Sequence, residues 1–64
     1  MSMAADDLQT LVHDLRTPLT LVEGFSDLLV RRGEELPASE RDEYVQRIAA
    51  AAREMRELLD RAQR

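Results

Sequence analysis

Leu8, Leu15, Val22 and Leu29 recur every seven residues, and Leu11, Pro18 and Phe25 repeat the interval three positions later. A chain with that spacing is committed to a long helix, because the a and d positions of a heptad share one face. Val12 and Leu19 widen the stripe at the e position. Asp6 and Asp7 suit the positive end of the helix dipole, and Arg31 and Arg32 suit the negative end. Gly33 stands where a left-handed terminator belongs. The pattern predicts a first helix over about 4–32.

The segment 33–38 reads GEELPA, a short connection through which Pro37 lets neither helix run. Ser39 is the expected N-cap, with Asp42 as a weak capping-box partner and Glu40 and Glu43 adding negative charge to the first turn. A second helix is predicted over about 39–63. Its seam is Tyr44, Ile48, Ala51, Met55, Leu58 and Ala62, with Val45, Ala52 and Leu59 as a flanking row. The Ala49–Ala52 run would let another helix approach closely. Glu43/Arg47, Asp27/Arg31, Glu57/Arg61 and Asp60/Arg64 are acid-before-base pairs at i,i+4, each worth a few tenths of a kcal/mol.

Two long amphipathic helices joined by a short connection form an antiparallel hairpin. The 64 residues are read as one domain, 1–64, with neither cysteine for a disulfide nor more than one histidine for a metal site. Chains this small need a staple or a partner, and both stripes are wider than a two-helix contact uses. The expected fold is therefore all-α, a helical hairpin that homodimerises into a four-helix bundle.

Composition closes off several functions. Thirteen acidic residues oppose nine basic ones, all arginine, for a net charge of -4, which argues against nucleic-acid binding. Phe25 and Tyr44 are too few aromatics for base stacking. No run of about 20 apolar residues is available to span a membrane, so direct membrane contact is not expected and any anchor of a parent protein would lie elsewhere. Lack of cysteine and of a signal sequence fits a cytoplasmic location.

The segment His13-Asp14-Leu15-Arg16-Thr17-Pro18-Leu19 does not read as bundle filler. The heptad phase puts His13 at position f, on the outside. Thr17 is one turn on, about 40° round and about 6 Å along, so it shares that face. Pro18 inside a strongly periodic helix costs about 3 kcal/mol and removes the hydrogen bond to the carbonyl of Asp14. A helix breaker beside the lone imidazole marks a place where the helix must flex.

Phosphoryl transfer through nitrogen suits this set. An imidazole nitrogen can attack a γ-phosphoryl group near neutral pH. Asp14 could hold the other ring N–H or accept a proton, and Thr17 could orient a water for hydrolysis. Arg16 could touch phosphates, although pairing with a surface acid is the simpler expectation. Gly24 could give a docking partner clearance or tolerate close packing. The chain has no glycine-rich phosphate loop, so it should bind no cofactor or metal itself, and ATP must come from another domain.

HDLRTPL resembles the H-box of the HisKA family, the dimerisation and phosphoacceptor domain of sensor histidine kinases, whose usual form is H-[ED]-x-x-[TN]-P-L. The similarity continues through Leu21, Val22, Gly24, Phe25, Asp27, Leu28 and Leu29, and the hairpin matches in length. The resemblance implies that His13 is autophosphorylated, that Asp14 is the general base, and that Thr17 positions water in response-regulator dephosphorylation. Pro18 matches the kink proline associated with signalling motions. It also implies a separate catalytic domain carrying ATP and Mg2+, and a response-regulator receiver aspartate as the next acceptor. The row His13, Thr17, Thr20, Gly24 and Asp27 is the expected receiver-docking face, shared with part of the second helix. Two rivals keep the fold: a phosphorelay intermediate without its own ATP-binding domain, and a purely structural dimeric bundle. A helix-turn-helix DNA reader is the weakest alternative, given the charge and the helix lengths.

Overall fold

The computed structural model describes residues 4–63, with side chains described from Asp7 onward. Helix α1 spans Ala4–Arg32, a 3-10 turn follows at Gly33–Glu35, and helix α2 spans Ala38–Ala62. The two helices lie antiparallel in a rod 53 Å long and 11 Å thick, one helix layer deep. The expected Asp6 contribution and the Asp60/Arg64 pair fall on side chains outside the described residues.

The register follows from one aromatic pair. Phe25 of α1 and Tyr44 of α2 stand with ring centroids 5.1 Å apart, tilted by 33°. One heptad back from Phe25 is Pro18, and one heptad on from Tyr44 is Ala51. These two are the buried residues among those described. The Pro18 ring is fully enclosed and Ala51 is 4% exposed. A further heptad brings Leu11 level with Leu58. The a/d rows thus meet in layers, as knobs on facing helices do.

The turn differs from expectation at both ends. Gly33 does not take a left-handed conformation, and no described glycine has positive φ. Instead α1 tightens into a 3-10 turn, where the Gly33 carbonyl accepts from the Leu36 N–H at 3.3 Å and from the Arg41 guanidinium at 3.2 Å. The chain thus leaves α1 through this turn, which Arg41 ties to α2, and not through a left-handed reversal at Gly33. Ser39 is not the N-cap. Pro37 (φ -57, ψ 149) occupies that position, and its carbonyl accepts from the N–H groups of Glu40 and Arg41 at 3.0 and 3.1 Å. The fixed φ of proline presets this entry, so α2 starts at Ala38 with no side-chain cap.

Of the helical ion pairs, Arg31–Asp27 (3.1 Å) and Arg47–Glu43 (3.1 Å) form, and Arg32–Glu35 (3.6 Å) joins them across the turn. Glu57/Arg61 does not form among the described residues. Each is an exposed contact worth a few tenths of a kcal/mol, so neither outcome bears on the fold.

One layer of helices leaves both flanks of the seam bare. On one side lie Leu8, Val12 and Leu19 of α1 with Val45 and Leu59 of α2, all exposed. On the other side Leu21 and Leu28 are exposed beside the half-buried Phe25. No described helix is long and apolar enough to cross a membrane.

Candidate functional site

The imidazole of His13 stands on the outer face of α1 with its side chain 86% exposed. Its exposure follows from the heptad: Leu11 and Leu15 turn inward and place position 13 opposite the seam. Nδ1 lies 3.4 Å from Oδ1 of the next residue, Asp14, whose carboxylate is 46% exposed. At that separation the contact is a long, weak hydrogen bond. It nevertheless places the carboxylate on the Nδ1 side of the ring and leaves Nε2 facing solvent.

Thr17 is exposed one turn further on, on the same face, while Pro18 next to it is enclosed. The two residues therefore divide the segment: Thr17 is available to chemistry and Pro18 anchors the helix to the seam. Because Pro18 has no N–H, the Asp14 carbonyl loses its helical partner just beside the imidazole.

Arg16 borders the shallow hollow beside His13 together with Gln9 and Val12. The expected pairing of Arg16 with a surface acid is not found among the described residues. The reason is local: Val12, His13, Leu19 and Thr20 occupy the positions three and four away, and none is acidic.

The proposed docking row is likewise on the surface. Thr20, Gly24 and Asp27 are exposed, and Asp27 is held by Arg31. A side chain added at Gly24 would meet nothing within 4 Å. Close packing within the chain is therefore not what the glycine serves. Thr20 and Gly24 rim a small, almost wholly apolar hollow floored by Leu21, Phe25 and Leu28.

One arrangement was not read from the sequence. Arg47 donates from Nε and Nη2 to Glu43 and lies 5.9 Å from the Phe25 ring centroid, roofing the Phe25–Tyr44 pair. The i,i+4 spacing signalled the ion pair, but the cation–π contact depends on how the helices are paired.

The hairpin thus presents one solvent-facing imidazole, with a carboxylate on its Nδ1 side and a hydroxyl one turn away. The family model of the His Kinase A (phospho-acceptor) domain matches residues 6–63, and the chain belongs to that family. Histidine kinases are ATP-dependent phosphotransferases of two-component signalling. Comparison with curated proteins and with solved structures finds no match for the chain.

Proposed function

We propose that this chain is the dimerising phosphoacceptor domain of a cytoplasmic sensor-kinase core, with His13 taking the phosphoryl group. The observation that carries the reading is the solvent-facing ring whose Nδ1 side is occupied by Asp14. With the proton on Nδ1 and directed at that carboxylate, the Nε2 lone pair points outward. Nε2 attacks the γ-phosphorus of ATP, the N–P bond forms as the β,γ-bridging P–O bond breaks, and ADP leaves. Asp14 stabilises or takes the Nδ1 proton as the ring becomes cationic.

ATP and its Mg2+ are assigned to a separate catalytic domain, since the sequence holds no glycine-rich phosphate loop. The chain alone should be inert. The phosphoryl group then moves from Nε2 to an aspartate oxygen of a receiver domain, which docks over Thr20, Gly24 and Asp27. The open space at Gly24 and the apolar hollow beside it support that placement.

The test is labelled ATP mixed with the chain and its kinase's ATP-binding domain. Acid-labile, alkali-stable label that a receiver domain removes is the expected result; no label on a folded chain would overturn the reading. Thr17→Ala should leave labelling within about twofold while slowing receiver dephosphorylation at least tenfold, the scale of a lost water-positioning hydroxyl. Equal losses in both reactions would remove Thr17 from the hydrolytic role.

Dimerisation is assigned to the flank bearing Leu8, Val12, Leu19, Val45 and Leu59, since a single hairpin leaves these in water. A second copy applied there completes a four-helix bundle. Leu19→Glu should convert the sedimenting species from dimer to monomer at micromolar concentration, whereas Leu28→Glu, on the opposite flank, should not. A dimer unaffected by Leu19→Glu would place the interface elsewhere.

A further inference from the structure

Beyond the H-box itself, α2 brings a cation to the rim of a hollow that Asp14 also borders. The end of α2 and the start of α1 enclose a shallow hollow bordered by Asp7, Thr10 and Asp14 on one helix and by Leu58 and Arg61 on the other. Side chains tilt toward the N-terminus of their own helix. In an antiparallel pair this makes Arg61 lean along α2 toward the level of Leu58, while Asp14 leans along α1 toward that of Leu11. The two therefore lean toward each other's level across the hollow without forming an ion pair, the Asp14 carboxylate lying on His13 instead. Arg61 makes no ion pair among the described residues, its in-helix partner Glu57 included. Asp14, for its part, holds His13 only by a 3.4 Å contact and keeps 46% of its side chain exposed.

We propose that Arg61 is a positioning residue that draws the Asp14 carboxylate away from His13, restraining the phosphoryl-accepting state. A carboxylate oriented toward α2 cannot at the same time hold the Nδ1 proton, so fewer rings present Nε2 as the nucleophile. Movement of the α2 end relative to α1 then changes how much of Asp14 is available to His13. Asp7, which borders the same hollow, is the competing carboxylate for Arg61. The inference rests on the general-base reading of Asp14 made above.

Two measurements on the same proteins test it. With the ATP-binding domain and labelled ATP, Arg61→Gln should raise the initial rate of His13 labelling about two- to fivefold, the scale of an exposed ion pair. Arg61→Lys should stay near wild type, and the gain should vanish in an Asp14→Asn background. In the free chain, long-range 1H–15N spectra of the ring, taken well above the imidazole titration range, report which nitrogen carries the proton. The Nδ1–H fraction should rise in Arg61→Gln and not when Asp14 is already Asn. An unchanged ring in Arg61→Gln, or an unchanged or slower rate, overturns the proposal. If no variant is labelled at all, the phosphoacceptor reading fails while the ring spectra still decide Arg61.

Discussion

His13→Gln should abolish the proposed phosphorylation of the chain, with a loss of at least about a thousandfold, because no other side chain offers a nucleophilic ring nitrogen. The fold should be untouched. The ring is 86% exposed, its only polar contact among the described residues is the long one to Asp14, and surface changes of this kind stay within about 0.5 kcal/mol. Circular dichroism melts and sedimentation should therefore overlay with wild type while the label disappears. Asp14→Asn should differ in degree. Asn can still accept from Nδ1 but cannot take a proton, so labelling should fall by about a hundredfold rather than vanish. Residual label in His13→Gln at more than a few per cent of wild type would mean that another residue accepts the phosphoryl group. A variant that loses label together with its helicity would instead show a structural role for the imidazole.

Ala51→Asp should be the most destabilising single change in the hairpin. Ala51 is 4% exposed and sits level with the enclosed ring of Pro18, one heptad from the Phe25–Tyr44 pair. A short carboxylate there is cut off from water, and Arg47, the cation bordering the same hollow, is already paired with Glu43; a buried charge without a partner of its own costs about 3–5 kcal/mol. For a domain of this size about 1 kcal/mol moves the melting temperature by 4–8 °C. A fall of more than about 10 °C is expected, measured at one fixed concentration because the melting point of the proposed dimer would depend on it. Ala50→Asp is the matched control. It places the same charge one residue away on an exposed position, and its effect should stay within about 0.5 kcal/mol. Similar melts for the two variants would mean that the helices do not close at this layer.

Most of the site was legible before the fold was described, for a periodic reason. Once Leu8, Leu11 and Leu15 are assigned inward, His13 has no direction left except outward, and Thr17 follows it by helical geometry. The same reasoning identifies Pro18 as a seam residue, which its complete burial bears out. The reading was weaker where several local solutions have similar energy. Gly33 and Ser39 are both good residues for the terminal roles expected of them. The turn instead closes through a 3-10 segment tied to α2 by Arg41, and the preset φ of Pro37 starts α2 with its carbonyl accepting the first N–H groups.

What the sequence by itself determined is what repeats: two amphipathic helices, their lengths, the seam and the outward imidazole, all consequences of a heptad that any local window displays. What only the tertiary structure decided is what crosses from one helix to the other. Pairing Phe25 with Tyr44 chose the register, and the register then brought Arg47 over Phe25 and Arg61 to the rim it shares with Asp14. Sliding α2 by one heptad would leave every local preference satisfied, lose the Phe25–Tyr44 and Arg47–Phe25 contacts, and take Arg61 away from the hollow that Asp14 borders. Local preference cannot distinguish those registers; the fit of one aromatic pair and of Ala51 against Pro18 can.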